Sequence, residues 1–480
     1  MKTETRRVKI IVAVATGICY TSDRLQKKVT FVEEKRRLFS NQQLILLIIP
    51  LIIEQVLNSL VGMVDGMMIS SAGEAAISGV SLVDMINGIM LTLFAALATG
   101  GAVVTSQYLG AKNMEKARRS AGQLVLMSAV LGLIIMAGCE IFAGGLIDLF
   151  FGSIEADVRE ACMVYLRITA LSFPFIALYN AGAAIFRSTG NSKVPMKISM
   201  LMNIINVVGN AICILGFKMG VAGVAIPTLI SRVVAAVLIL ALVSKRNDGL
   251  YVDKRNVLAM ESGMMKNILA IGIPNACENS FFSLGRTVVV SFISVYGTVQ
   301  ITANSVANSL DNLAIIWGLA MGIAMVTVVG QCVGAGDKEQ TRYYIKKMMI
   351  WSYALLGVVN VAMILFCPQL IGLYSNLSEE TVALSYRLVM MHSIFVIPMW
   401  PLSFVLPNAL RAANDAKFTM WVGIISMLAM RIGLGWVMCI HLGWGATGIW
   451  IGMILDWVVR ISCFVPRYLS GKWLTKYKAA

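Results

Sequence analysis

The chain has 480 residues, of which 58% are hydrophobic and 14% are charged, and its mean hydropathy is +0.78. Soluble domains are about 45–50% apolar and about 25% charged, so this composition excludes a soluble globular protein and indicates an integral membrane protein. The formal net charge of +15 at pH 7 would also fit a protein that binds nucleic acid. Where the charges lie along the chain distinguishes that alternative from a membrane protein with basic loops.

Apolar stretches of roughly 20–28 residues recur along the chain, long enough to cross a hydrocarbon core of about 30 Å at about 1.5 Å per residue. We therefore predict an all-α membrane protein with twelve spanning helices, six in each half. In chain order, the predicted helices cover residues 44–70, 77–104, 120–147, 161–186, 195–216, 222–243, 266–296, 301–329, 345–371, 385–410, 418–441 and 446–465.

The spans and the breaks between them predict five segments. The first is basic and carries a short apolar run, Val8 to Cys19, that mimics a signal peptide, but no small-residue cleavage pattern follows it, which favours a cytoplasmic segment. The longest polar break between helices separates the two halves. The predicted segments are a basic N-terminal segment at 1–43, a six-helix lobe at 44–243, a cytoplasmic linker at 244–265, a second six-helix lobe at 266–465 and a basic tail at 466–480.

The basic residues are concentrated on one side of the predicted membrane. Of 40 Lys and Arg, 10 lie in the N-terminal segment and 22 lie in alternate loops and the tail, while the opposite loops hold almost none. By the positive-inside rule, this pattern predicts a multi-pass protein of the cytoplasmic membrane with both termini in the cytoplasm. The positive net charge therefore reflects the basic cytoplasmic loops. The expected partner is the lipid bilayer rather than a nucleic acid.

The two halves of the chain repeat each other at an offset of 224 residues, which slips by one residue near the end. Because each half has an even number of predicted spans, both halves enter the membrane from the same side, so the repeats are parallel and related by an axis along the membrane normal. Such duplication is the usual build of secondary transporters. The register pairs Gln107, Gly110, Ala111, Glu115 and Arg118 with Gln331, Gly334, Ala335, Glu339 and Arg342, and Pro50, Glu54, Pro174, Arg187 and Lys193 with Pro274, Glu278, Pro398, Arg411 and Lys417.

Ionisable residues within the first span are candidates for a functional site. Placing an ionisable side chain in the hydrocarbon core costs at least about 2.5–3.5 kcal/mol, so such a side chain usually faces a cavity or a partner. Glu54, Asn58 and Asp65 share one helix face. Glu54 and Asp65 should lie roughly 16 Å apart along the axis, so we expect separate sites rather than a proton-sharing pair. The alternative for Asp65 is a cap in the headgroup region.

The repeat mate of Glu54 is Glu278, which follows Pro274 by four residues. A proline inside a helix frees backbone groups that can line a cavity. Arg286 lies two turns further on and about 80° round the helix, too far for a direct pair with Glu278 on one helix. The candidate roles for Glu278 are a coupling acid in a cavity or a structural ion pair.

Acid and amide side chains recur at a spacing of three residues on the second and eighth predicted helices. The second carries Asp84 and Asn87, and the eighth carries Asn308 and Asp311, with the acid and amide exchanged. This spacing places both side chains on one helix face. Each pair suits either coordination of a cation or a hydrogen bond across the lobe.

The fifth predicted helix carries a stripe of amides at Asn203, Asn206 and Asn210. Their carbonyl oxygens would support a cation at Asp65, or the amides would act as hydrogen-bonding contacts between helices. The nine cysteines contain no CxxC pair and the chain has two histidines, so no zinc site, disulfide framework or cofactor is indicated. A membrane-embedded enzyme would need a convergent cluster of such groups, and none appears in the sequence.

The order of these motifs carries a resemblance to a known family. The run from Pro50 to Asp65, the turn from Gln107 to Ala111 and the segment from Phe186 to Asn191, duplicated across the repeat, resemble the multidrug and toxic compound extrusion family over about residues 40–465. The resemblance implies two six-helix bundles forming a V around a central cavity. It also implies an antiporter that exports organic cations and other drugs in exchange for Na⁺ or H⁺. We expect the protein to act as a monomer.

Residue by residue, the resemblance assigns cation coupling to Asp65, where Na⁺ would be an alternative to H⁺, and places Asn206 and Asn210 in the helix-five cluster. Many relatives have Asp at the position of Asn210, and some have acids where this chain has Phe282 and approximately Trp400. Glu54 and Glu278 are then the remaining candidates for coupling acids. The alternative function is a flippase of the same superfamily for lipid-linked or polyanionic substrates, which Arg286 and Arg431 would suit.

Overall fold

The computed structural model describes residues 37–69, 73–152, 154–245, 249–374 and 377–475. Within these ranges the regular elements are all helical. The signal-like run at residues 8–19, most of the basic N-terminal segment and the last residues of the tail lie outside the described residues.

Sixteen helices follow one another in the described part of the chain, three of them continued by π-helical turns, before a final 3₁₀ turn at Lys472–Thr475. They are α1 (Asn41–Ile69), α2 (Glu74–Gly110), α3 (Met114–Ile141), α4 (Ala143–Phe151), α5 (Ala156–Ala170), α6 (Phe173–Ser188), α7 (Lys193–Gly216), α8 (Ala222–Val243), α9 (Lys254–Leu258), α10 (Ser262–Ser294), α11 (Thr298–Gly334), α12 (Lys338–Leu365), α13 (Cys367–Ile371), α14 (Glu379–Ala412), α15 (Ala416–His441) and α16 (Gly445–Leu469).

Ten of these helices are long and apolar enough to cross a membrane, and α5 and α6 together form an eleventh candidate with a 45° bend. The predicted class, an all-α membrane protein, is confirmed. The count of twelve stays a prediction, because α10, although 33 residues long, contains no stretch apolar enough to place it among these ten helices. Large exposed side chains such as Ile134, Val358 and Trp421 give the spans the apolar outer surface that lipid contact requires.

Three predicted helices are each broken into two. The predicted helix 161–186 is α5 and α6, because Pro174 has no N–H to donate and its ring clashes with the carbonyl four residues earlier. Pro368 divides the predicted helix 345–371 in the same way. The predicted helix 120–147 breaks at Phe142, just before two glycines that are poor helix formers. The predicted linker 244–265 is also not wholly irregular, since it contains α9.

The one-residue slip of the repeat coincides with π-helical turns. Gly190 and Asn414, 224 residues apart, both have positive φ, whereas the next matching pair, Gly220 and Gly445, lies 225 residues apart. Between these points α15 contains two π-helical segments, Met427–Leu434 and Val437–His441. A π turn accommodates one additional residue in a helix, and α7 contains one such segment, Ala211–Gly216, where α15 contains two, so α15 can hold the extra residue of the second repeat without losing its direction.

By internal contacts the chain divides into the units Met1–Ile45 and Leu46–Ala480. In the first unit, α1 begins with a reciprocal cap: the Ser40 N–H donates to Gln43 Oε1 at 2.8 Å, and the Gln43 N–H donates to Ser40 Oγ at 3.2 Å. The site described below lies entirely in the second unit. The predicted lobe boundaries within that unit stay a prediction. Below, "first repeat" means residues 46–243 and "second repeat" means residues 266–465.

Candidate functional site

A cavity of ≈ 490 Å³ is lined by residues of both repeats. Its first-repeat wall consists largely of small side chains of α2 and α6, including Ala95, Ala98 and Ala184. Its second-repeat wall, from α10, α11, α14, α15 and α16, is charged and aromatic. The two walls therefore differ in chemistry, although their sequences are related.

Glu278 lies in this wall as the acceptor of a buried ion-pair network. Its Oε2 accepts from Arg411 Nη2 at 2.6 Å, and its Oε1 lies 3.4 Å from Arg460 Nη1. A Cβ at Gly423 would lie 2.7 Å from Glu278 Oε1, so this position has room only for glycine. The structural ion pair, one of the two roles expected for Glu278, is formed. Its partners are Arg411 and Arg460, and Arg286 instead donates to Asn308 Oδ1 at 3.5 Å.

The first repeat forms the same pair. Glu54, 2% exposed, accepts from Arg187 Nη2 at 2.6 Å and from the Tyr179 hydroxyl at 3.3 Å. Glu54 and Arg187 are the repeat mates of Glu278 and Arg411, so one salt bridge is built twice. Breaking a buried pair of this kind is strongly destabilising, which gives both glutamates a structural role irrespective of any part in coupling.

Asp65 lies at the centre of a second polar cluster in the first repeat. Its Oδ1 accepts from Asn210 Nδ2 at 2.7 Å. The amide of Asn206 satisfies its neighbours when its oxygen accepts from the Thr228 hydroxyl at 2.9 Å and its nitrogen donates to Asp65 Oδ1, also at 2.9 Å. The structure thus brings together the three residues that the sequence grouped at a coupling site and adds Thr228 of α8.

The remaining amides of the first repeat form a separate cluster. Asn58 Oδ1 accepts from Asn203 Nδ2 at 3.2 Å and from Ser199 Oγ at 3.1 Å. These contacts join α1 to α7 and correspond to hydrogen bonding between helices, the other role expected of the amide stripe. Asn203 does not extend the Asp65 cluster.

The two acid-amide pairs differ in their contacts. Asp84 accepts from Asn87 Nδ2 at 3.4 Å and from the Tyr165 hydroxyl at 3.2 Å, so the pair in α2 is formed and tied to α5. Arg232 of α8 lies within electrostatic reach of Asp84 and of Asp65.

In α11 the corresponding pair is not formed. Asn308 donates to the backbone carbonyl of Asn304, and Asp311 Oδ1 lies 2.6 Å from His392 Nε2. Asn308 and Asp311 therefore do not bond to each other: the Asn308 amide nitrogen bonds within α11, and Asp311 contacts α14, which corresponds to the contact across the lobe expected as one of the two roles of the pair. His392 is buried between the rings of Trp450 and Trp457, at 5.6 Å and 5.4 Å.

Five arginines line the cavity, more than sequence reasoning selected: Arg187, Arg286, Arg411, Arg431 and Arg460. The repeat register paired Arg187 with Arg411, and the flippase alternative already named Arg286 and Arg431. Asp456 pairs with Arg460 Nε at 3.0 Å and more distantly with Arg431 Nε at 3.9 Å. Among the described residues, no group of three or more His, Cys, Asp and Glu side chains is arranged to hold a metal ion.

The repeated motif at the ends of α2 and α11 joins the two repeats symmetrically. Gln107 Nε2 donates to the carbonyl of Ala412 at 2.8 Å, and its mate Gln331 donates to the carbonyl of Ser188, the mate of Ala412, at 2.6 Å. Between them, a Cβ at Gly110 would clash with the Gln331 backbone, and one at Gly334 with the Gln107 backbone. This pseudo-twofold contact closes the repeats against each other on the side predicted to face the cytoplasm.

Duplicated, membrane-length helices enclosing a charged cavity define the class as a membrane transporter. The MatE family model matches residues 50–212 and residues 274–437, once in each repeat. The chain therefore belongs to the MatE family of multidrug and toxic compound extrusion transporters.

Similar proteins agree with this assignment. The uncharacterized transporter YisQ of Bacillus subtilis is 29% identical over 89% of this chain and 94% of its own length. The probable multidrug resistance protein NorM of Thermotoga maritima is 26% identical over 90% and 93%. A solved multidrug resistance MATE family transporter in an outward-facing conformation shares the fold with a TM-score of 0.84 and 22% identity, covering 91% of this chain and 96% of the other.

Proposed function

We propose that this protein exports small organic compounds by secondary active antiport, in exchange for H⁺ or Na⁺ that binds at Asp65. The observation that carries this is the cluster of Asp65, Asn206 and Asn210, which joins one carboxylate to two amides inside the membrane-spanning part of the first repeat. Membership of a multidrug efflux family supports the export of small molecules. The basic loops support a cytoplasmic membrane location with both termini inside, and we treat the transporter as a monomer.

The amides give the cluster two states. With Asp65 ionised, both amide nitrogens donate to it, which stabilises the charge. A proton on Asp65, or a Na⁺ beside it, requires an amide to turn its oxygen inward instead. Either ion therefore changes the contacts of α7 with α1 and, through Thr228, with α8. Binding of the coupling ion would in this way be transmitted to the packing of three helices.

Alternating access requires the repeats to open on each side in turn. The contacts of Gln107 and Gln331 close the side predicted to be cytoplasmic, and these contacts must separate before compounds enter from the cytoplasm. A ligand shifts such an equilibrium only as far as it binds one state better than the other. Ion binding at Asp65 from the outside and compound binding from the inside would each favour one of the two states.

The experiment is export from proteoliposomes, with a fluorescent organic cation and a fluorescent organic anion tested separately under imposed pH and Na⁺ gradients. The Asp65→Asn variant should lose gradient-driven export of whichever compound the wild type moves. Asp157→Asn, the same chemical change at an exposed carboxylate, is the matched control and should retain it. Absence of transport by the wild type under both gradients would contradict antiport, and full activity of Asp65→Asn would exclude Asp65 as the coupling acid.

A flippase for lipid-linked or polyanionic substrates is the second candidate, favoured by the presence of Arg286 and Arg431 in the cavity wall. Guanidinium groups bind phosphate and carboxylate bidentately. A flippase would move a labelled anionic lipid between leaflets, whereas the antiporter would move the soluble fluorescent compounds.

A further inference from the structure

We infer that the cavity binds the anionic group of an amphipathic compound, with Arg431 and Arg286 holding its carboxylate or phosphate and the aromatic wall holding its apolar body. This inference rests on the proposed function, because it names the class of compound that would be exported.

Positive charge exceeds negative charge along the wall. Four of the five lining arginines share three carboxylates through ion pairs: Glu54 with Arg187, Glu278 with Arg411 and Arg460, and Asp456 with Arg460 and Arg431. The fourth carboxylate, Asp311, is in contact with His392. Each of these four carboxylates thus already has a basic side chain close to it, which a cationic compound would have to displace. An anion would meet guanidiniums that are incompletely paired.

Among the buried arginines of the cavity wall, Arg431 has the weakest pairing with carboxylates. Its side chain is 7% exposed, its Nε–H donates to no acceptor within hydrogen-bond distance among the described residues, and its ion pair with Asp456 is long at 3.9 Å. Its guanidinium lies 4.9 Å from the ring centroid of Phe282 and within electrostatic reach of Arg286 and Arg460. Like charges held close together repel, so an anion between them removes an unfavourable interaction in addition to making its own contacts.

Arg286 gives the second contact. Its one hydrogen bond within the described residues is the 3.5 Å contact to Asn308, a neutral amide. It is exposed and lines the cavity, so its guanidinium can turn towards a bound group without breaking an ion pair. Two guanidiniums on adjacent elements, α10 and α15, are the arrangement that recognises a planar carboxylate or a phosphate.

The apolar body of the compound has a wall of its own. Trp400 and Phe404 stack at 5.0 Å, and Phe282 meets Phe404 edge-on at 6.1 Å. All three line the cavity beside the arginines. Aromatic surface with a few fixed polar groups is typical of a small-molecule site. In the first repeat, the corresponding polar cluster is built on Asp65 and amides, so the repeats separate the coupling ion from the anionic compound.

The test is equilibrium binding to the full-length protein in phosphatidylcholine nanodiscs, without any ion gradient. The probes are radiolabelled 1-naphthylacetate, its neutral amide 1-naphthylacetamide and the cation (1-naphthylmethyl)trimethylammonium, which share one aromatic body. We expect the wild type to bind the carboxylate at least tenfold more tightly than the other two. Equal affinities, or a preference for the cation, would overturn the inference.

Two variants assign the binding to the arginines. Arg431→Gln should weaken 1-naphthylacetate binding at least tenfold and leave 1-naphthylacetamide binding unchanged, with Arg431→Lys intermediate because it retains charge but not bidentate geometry. Arg286→Gln gives an independent measurement at an exposed position, should Arg431→Gln fail to fold. Arg387→Gln, an exposed arginine of α14 outside this cavity, is the matched control for lost charge. Unchanged carboxylate binding in both cavity variants would refute the assignment.

The same chemistry could come from a free organic anion or from an anionic lipid, and a second arm separates these sources. Phosphatidylglycerol is added to the nanodiscs: competition that disappears in Arg286→Gln supports a lipid headgroup as the source, and binding independent of phosphatidylglycerol supports a free anion. The binding assay needs no gradient, so it is unaffected by Asp65→Asn. Failure of antiport with intact carboxylate binding would contradict the proposed function alone.

Discussion

The Arg187 guanidinium donates to the Glu54 carboxylate at 2.6 Å, across 133 residues of sequence, and joins the end of α6 to the middle of α1. The second repeat makes the equivalent bond, Arg411 to Glu278, at the same distance and over the same sequence separation. Duplication has therefore kept this ion pair in both halves, while the polar residues around it have diverged. The pair belongs to the shared fold, and the residues that have diverged are those to which we assign different roles in the two halves.

Replacing Glu54 by Gln should destabilise the protein by about 3–5 kcal/mol, because Arg187 would be left buried without its carboxylate. The double variant Glu54→Gln/Arg187→Gln should recover part of the loss. Thermal unfolding in detergent measures both, with the exposed Glu155→Gln as control. If Glu54→Gln abolished pH-driven export but left the melting temperature unchanged, the residue would be a coupling acid and its structural role would be minor.

Gly110→Ala should weaken closure of the repeats at the motif of Gln107 and Gln331, since the new Cβ would overlap the Gln331 backbone. Cys332, buried beside this contact, is a natural reporter. We expect maleimide labelling of Cys332, followed by peptide mass spectrometry, to be several times faster in the variant. Gly357→Ala, where a Cβ has free space, should label at the wild-type rate. Equal labelling in all three proteins would show that this contact does not limit opening.

Thr228→Val should reduce the apparent affinity for the coupling ion about tenfold, equivalent to about 1.4 kcal/mol. The hydroxyl orients the Asn206 amide towards Asp65, and without it the amide loses its preferred orientation. Export measured against the concentration of the coupling ion should show a raised half-saturating concentration with a similar maximal rate. Thr228→Ser restores the hydroxyl and should restore the affinity. A fall in the maximal rate alone would indicate a packing defect instead.

Phe282→Glu should reverse the charge preference of the cavity. The new carboxylate would stand near Arg431 and Arg460, whose guanidiniums now lie 4.9 Å and 5.9 Å from the Phe282 ring centroid. Paired with it, they would no longer attract an anion. Binding of 1-naphthylacetate should fall at least tenfold, and binding of (1-naphthylmethyl)trimethylammonium should increase. The control is Phe282→Gln, in which glutamine is similar in size to glutamate but neutral, and it should not increase binding of the cation. If Phe282→Glu kept the preference for the anion, the role given to the arginines would be contradicted.

The class of the protein, its duplicated halves and its Asp65 cluster could all be predicted from the sequence. Hydropathy reports the spans because the membrane requires about 20 apolar residues for each. The stripe of Asn206 and Asn210 follows from helix periodicity, which is a local property. The prediction that three of the helices are continuous was nevertheless wrong, because prolines or glycines divide each of them.

Tertiary structure alone decided which charged groups meet. Glu278 pairs with Arg411 rather than with Arg286 of its own helix, and Asp311 contacts His392 rather than its neighbour Asn308. Partners so far apart in sequence depend on the rotation and spacing of packed helices, which periodicity within one helix does not determine. The arginine-rich wall of the cavity likewise arises from five helices or helix ends that approach one another only in the folded protein.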